Sequence, residues 1–98
     1  MIEIVKNEDL VIKIKDRLDA TNSSEAMQAV DEALKDLKYD VRLDVSELEY
    51  ISSAGLQVVL KCAKISKSAG REIYLVGAKD GVLEIFKISG FLSFLKEV

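Results

Sequence analysis

Histidine is absent from these 98 residues, and cysteine occurs once. Without histidine, no side chain changes charge near neutral pH at its ordinary pKa, and the common zinc and triad chemistries lose their usual participant. One cysteine leaves no internal disulfide to build. Proline is missing as well, and neither a repeat nor a low-complexity tract breaks the chain, so residues 1–98 are expected to form one domain with one core. No apolar run approaches the roughly 20 residues that span a bilayer, and the opening MIEIVKNEDL lacks the basic-then-apolar order of a signal peptide. A formal net charge of −3 supplies no basic footprint for a phosphate backbone. The expectation is a cytoplasmic protein that touches neither nucleic acid nor membrane directly and carries no metal or cofactor.

Hydrophobic residues at 49% and charged ones at 32% fit a folded globular protein rather than a disordered one. Ile2, Ile4 and Val5 begin a strand-like segment, Asn7 to Asp9 supply turn formers, and LVIKIK alternates apolar and polar, which together predict a hairpin. From Asn22 to Asp40, Met27, Val30, Ala33, Leu34 and Leu37 recur at helical spacing, with Glu25 early and Lys35 and Lys38 late. VRLDV at Val41 to Val45 reads as a buried strand, Leu56 to Ser68 as a helix with a wide apolar face that stops at Gly70, and EIYLVG as another strand. Val82, Ile85 and Phe86 mark a third helix, and FLSFLKEV returns as a last strand. Strands alternating with helices require crossover connections. The predicted fold class is therefore α/β, in the order ββαβαβαβ, with a mixed, mostly parallel sheet and an N-terminal hairpin.

Ser52 and Ser53 fall between the strand at Val41 to Val45 and the helix beginning near Ala54. The plain reading is an N-cap, since a serine oxygen satisfies backbone N–H groups that have no partner within the helix. The sharper reading is phosphorylation, because a phosphate there meets the positive end of the helix dipole. Gly55 supports something beyond a cap: glycine in a first turn costs up to about 1 kcal/mol against alanine, and close approach of another chain is one reason to keep it. A nucleophilic serine enzyme needs a base that the chain does not visibly offer.

Three further features each have a plain and a pointed reading. Lys61, Lys64 and Lys67, with Arg71 beyond, form either a solvated face or a basic stripe for an acidic partner. Cys62 sits at helical spacing with Val58, Val59 and Ile65, where a small thiol packs as core, whereas redox sensing would need exposure and a lowered pKa. Asp19 either begins a turn or lines a rim shared with Ser53.

DVSELEYISSAGLQVVL, Asp44 to Leu60, resembles the signature of the STAS family, specifically the single-domain anti-anti-sigma factors of bacteria: a strand, D-x-S, and a serine motif ending in Gly-Leu that opens a helix. IKDRLDATNSSEA resembles that family's G-x-L-D-A-x-T stretch with Asp16 in the glycine's place, and LEIFKISGFLSFLKEV resembles its C-terminal L-x-x-S-G-L segment. The resemblance implies a STAS domain over residues 1–98 and a regulatory protein that is not an enzyme. Such proteins bind an anti-sigma factor that is also a serine kinase, which releases a sigma factor; phosphorylation breaks the complex and a serine phosphatase restores it. By position the phosphoacceptor is Ser53, followed by Ala54 where the commonest form has Ser or Thr. Ser52 stands where that form has Asp and is a second candidate acceptor. The implied contact surface joins Asp19, Ala20, Thr21 and Asn22 to Ser52, Ser53, Ala54, Gly55 and Leu56. The alternative within the same family is an interaction module in a stress-signalling scaffold or a transporter, without a phospho-switch.

Overall fold

The chain opens on two antiparallel strands, β1 (Ile2–Lys6) and β2 (Leu10–Leu18), in a computed structural model that describes residues 2–6 and 9–98. Asn7 and Glu8 of the expected turn lie outside the described residues. Helix α1 (Ser23–Ala33), strand β3 (Val41–Ile51), helix α2 (Ser53–Ser68), strand β4 (Ile73–Val76) and helix α3 (Asp80–Ile88) follow. A 3-10 turn over Phe91–Ser93 then leads into β5 (Lys96–Glu97). The strand order across the sheet is β1-β2-β3-β4-β5, with every pair after the hairpin parallel. The mixed α/β architecture is the one expected.

Alternation decides which side of the sheet is covered. Leu10, Ile12 and Ile14 of β2, Val41, Leu43 and Val45 of β3, and Ile73 and Leu75 of β4 are buried. Their neighbours Val11, Lys13, Arg42, Asp44, Tyr74 and Val76 are only half-buried. Each crossover steps in the same direction across the sheet, so connections of the usual right-handed kind set all three helices on the buried side. The opposite side carries paired charges instead: Lys13 with Glu47 at 2.7 Å, Lys15 with Glu3 at 3.1 Å, and Arg42 with Asp9 at 2.8 Å. Arg42 also lies over the Tyr74 ring at 5.2 Å.

The helix layer closes the core with Val30 and Leu34 from the α1 region, Val58, Val59, Cys62 and Ala63 from α2, and Val82 and Phe86 from α3. Cys62 is core as expected, and burial pushes its thiol up to about 12, which keeps it protonated and inert. Helix α2 ends as its sequence indicates: Gly70 takes φ +72°, and the N–H of Arg71 donates to the Ser66 carbonyl. Of the four cations along α2 and just beyond it, Lys61, Lys67 and Arg71 pair with Asp31, Glu72 and Asp40. The pairing of Lys61 and Arg71 interrupts a continuous basic stripe and leaves Lys64 and the loosely paired Lys67 between them.

The expected last strand FLSFLKEV is a strand only at Lys96–Glu97, because Phe91–Ser93 wind into a 3-10 turn after Gly90, and earlier boundaries differ as well. Helix α1 ends at Ala33 rather than near Asp40, because Asp36 turns left-handed at φ +52°. Leu37 packs on the core from outside the helix, which carries the helical spacing past the helix end. Strand β3 runs on to Ile51 rather than stopping at Val45. Its pairing with β2 slips twice, between Lys13 and Lys15 and between Asp16 and Arg17, and each slip adds one residue on β3. The buried positions therefore pass from a spacing of two to Val45, Leu48 and Ile51 at a spacing of three, which hides a strand from a period-two reading.

Candidate functional site

Strands β2 and β3 end side by side, and the two segments that leave them are tied together at one atom. The Leu18 carbonyl accepts a hydrogen bond from the Ser52 N–H at 3.0 Å. A Cβ on Gly55 would stand 2.5 Å from that same oxygen and 2.7 Å from Ile51 Cγ1. Gly55 thus keeps the first turn of α2 against the end of β2, and the close approach is made by this chain's own Leu18 and Ile51 rather than by another chain as expected. The geometry brings the segment from Asp19 to Asn22 and the segment from Ser52 to Leu56 onto one rim.

The two serines do different work. Ser52 is the N-cap: its backbone is extended, its Oγ accepts from the Gly55 N–H at 3.3 Å, and its carbonyl takes the first helical bond, from the Leu56 N–H. Ser53 is the first helical residue and is exposed. Its hydroxyl makes no hydrogen bond among the described residues. The first turn of α2 holds no acidic side chain, so no residue of that turn compensates the positive end of the helix dipole beside that hydroxyl.

Asp19 builds the other half of the rim from beneath. The residue is buried at 7% exposure, with Oδ1 accepting from the Thr21 hydroxyl at 2.5 Å and from the Thr21 N–H at 2.9 Å. Its Oδ2 accepts from Arg17 Nε at 2.6 Å. These bonds from the Thr21 hydroxyl, Arg17 and the Thr21 amide hold the carboxyl down at about 2, so it is ionised at neutral pH. Asn22 completes the frame, its Oδ1 accepting from the Asp19 N–H and its Nδ2 donating to the Arg17 carbonyl. Asp19 is a scaffold for the loop, and the outward surface there belongs to Ala20 and Thr21. Across the rim, Gly55 is likewise buried, while Ser52, Ala54 and Leu56 are half-buried.

Arg17 and Tyr50 belong to the same surface, and the sequence reading did not single them out. They face each other in the β2–β3 register, and the Arg17 guanidinium lies 5.2 Å from the Tyr50 ring centroid. Tyr50 is 46% exposed, and the Arg17 side chain 63%. Ending β3 at Val45 concealed the pair, although Arg17 near the end of β2, two residues before Asp19, was a legible hint. Asp16, standing in the glycine position of the family motif, takes φ +63°, so that motif's glycine answers to a left-handed backbone at the bulge.

The family model described as "Mlab, STAS domain" matches residues 5–96. A curated relative, BtrV of Bordetella bronchiseptica, provisionally named an anti-sigma factor antagonist, is 53% identical over 53 residues. That alignment covers 54% of this chain and 46% of BtrV, so the match spans about half of each protein. Among solved structures, the phosphorylated form of the Bacillus cell-fate determinant SpoIIAA superposes with a TM-score of 0.74 at 17% identity, covering 100% of this chain and 89% of that one. A STAS-domain anti-sigma-factor antagonist from Planctomyces limnophilus superposes with a TM-score of 0.88 at 15% identity, covering 98% and 87%. At such identities the two structures establish the fold alone.

Proposed function

The chain belongs to the STAS domain family, and from that membership we propose that it is an anti-sigma factor antagonist whose partner binding is switched by phosphorylation of Ser53. The observation that carries the reading is the exposed Ser53 hydroxyl at the start of α2, on a rim shared with the loop that Asp19 frames. Unphosphorylated, the rim docks on an anti-sigma factor with serine kinase activity, and a sigma factor is released. The half-buried Leu56, the exposed Tyr50 and the exposed Ala20 and Thr21 supply a mixed apolar and polar contact.

Phosphorylation adds about −1.5 to −2 charge at the middle of that contact. The free domain tolerates it, because the first turn of α2 offers N–H groups and the positive dipole end and carries no acidic side chain of its own. The complex does not, since the same charge must be stripped of water against an apolar partner surface. A serine phosphatase acting on the modified form resets the switch. Ser52 is the poorer acceptor, because it is half-buried with its Oγ engaged by the Gly55 N–H, whereas Ser53 is exposed.

Incubation with the cognate anti-sigma factor kinase and ATP, followed by mass spectrometry, tests the reading. The expected product is a single phosphate on Ser53, absent from Ser53→Ala. Phosphate on Ser52 alone overturns the site assignment. Calorimetry with the kinase gives the second half: Ser53→Asp binds at least tenfold more weakly, a loss of about 1.4 kcal/mol. Equal affinities, with no phosphate on either serine, leave the chain as a binding module without a phospho-switch.

A further inference from the structure

Helix α2 reaches from the Ser53 rim to the far side of the molecule, and there it borders an apolar groove of 460 Å³. Leu60, Ala63, Lys64, Lys67 and Ser68 form one stripe of the helix along the groove, and Phe94 forms the opposite wall. Residues 60 and 68 stand about 12 Å apart along a helix axis, two turns of open length. Core packing continues beneath, since Ala63 is buried, while Leu60 and Phe94 stay half-exposed as the walls.

The charge at this groove runs against that of the whole chain. The net charge is −3, yet the two ionisable side chains lining the groove are both lysines. Lys64 has no carboxylate partner among the described residues. Lys67 reaches Glu72 Oε1 only at 3.5 Å, and Lys96 contacts the same oxygen at 3.2 Å. One carboxylate is thus divided between two ammonium groups, and the rim keeps a positive surplus over an apolar floor.

From this juxtaposition we infer that the groove binds a single-chain amphiphile with a carboxylate head, a free medium- or long-chain fatty acid, with its head at Lys64 and Lys67 and its tail between Leu60, Ala63 and Phe94. Dimensions favour this occupant over a protein partner: the volume lies within the roughly 300–1,000 Å³ of small-molecule sites. A stable protein interface needs about 1,200 Å² or more of buried surface, which two helical turns do not provide. One head charge facing two ammonium groups also suits a monoanion better than a row of acidic side chains. The site is separate from the Ser53 rim and does not depend on the partner-switching reading.

An amide-resolved NMR titration of the whole chain with sodium dodecanoate, held below its micelle-forming concentration, tests the inference. The expected result is saturable shifts confined to residues 60–68 and 91–95, with dodecyltrimethylammonium of equal tail length producing none. Lys64→Glu, an exposed change checked for an unaltered melting temperature, should weaken dodecanoate binding by about tenfold or more, the scale of one charge-assisted contact. Phe94→Ala should weaken it independently of head charge. Absence of saturation, shifts spread over the whole surface, equal binding of the cationic amphiphile, or unchanged affinity in both variants would each overturn the assignment.

Discussion

Replacing Gly55 by alanine sets two known effects against each other at one position. Helix propensity favours alanine over glycine by up to about 1 kcal/mol in a helix interior. Against this, the new Cβ would stand 2.5 Å from the Leu18 carbonyl oxygen, 2.7 Å from Ile51 Cγ1 and 3.0 Å from Leu18 Cγ. The nearest of these is backbone at the end of a paired strand, so it has no rotamer to change. Relief requires moving the first turn of α2 away, which overpacks or opens the site at about 1–3 kcal/mol. The same movement stretches the Ser52 N–H to Leu18 carbonyl bond, worth about 0.5–1.5 kcal/mol. The net expectation is a loss of about 2 kcal/mol, or about 8–16 °C in melting temperature for a chain of this size. Gly81 is the internal control: it lies in α3, where an added Cβ would meet nothing within 4 Å, so Gly81→Ala should hold or raise stability by up to about 1 kcal/mol. Thermal and urea unfolding of both variants decide the matter. If Gly55→Ala proves as stable as Gly81→Ala, the idea that Gly55 is kept for the contact with Leu18 is wrong.

Ser52→Ala should cost about 0.5–1 kcal/mol by urea unfolding, the low end for an N-cap because its bond to Gly55 is long at 3.3 Å. Ser53→Ala should stay within about 0.5 kcal/mol of wild type, and the reverse order would invalidate the separation of cap from acceptor. Asp16→Gly should raise the melting temperature, because φ +63° costs a side-chain-bearing residue up to about 1–2 kcal/mol; a lower melting temperature would show that the Asp16 side chain makes a compensating contact. Asp19 has its pKa lowered from 3.8 to about 2 on folding, so its contribution is complete above 3.8 and is lost as the pH falls toward about 2. Asp19→Asn should therefore be less stable than wild type at neutral pH, with the gap narrowing over that acidic window, and parallel acid-unfolding curves would rule this out.

The elements with regular periods were legible from residues alone. Alternation in LVIKIK and the spacing of Val58, Val59 and Cys62 each led to the element found, because burial on one side of a sheet or helix imposes that period. Strand β3 was lost after Val45 for a local reason: bulges add residues, and a bulged strand carries its buried side chains at spacings that imitate a helix. That omission removed Tyr50, and with it the Arg17 partner that completes the rim. The candidate serines were visible as a pair, but nothing in two adjacent identical residues tells which is cap and which faces water. That distinction arises only from the Leu18 carbonyl, which fixes Ser52 at the strand end and leaves Ser53 to begin the helix. Asp19 likewise reads in sequence as a turn former or a rim residue, and it is buried because Thr21 and Arg17 satisfy its oxygens from both sides.

A sheet ordered β1-β2-β3-β4-β5 has a consequence for how the chain reaches its native state. Each strand is laid against the one made just before it, and none has to be inserted between two strands already joined. A chain emerging from its N-terminus can thus add structure at one growing edge, with the hairpin as a template that forms from neighbouring residues. The first costly closure is the parallel joining of β2 to β3, which must bring Leu10 beside Val41 and order α1 on the way. The slowest folding step should lie there, ahead of every later addition. Substitutions in α1 and at the β2–β3 seam should then slow folding, whereas those in α3 and β5 should mainly hasten unfolding.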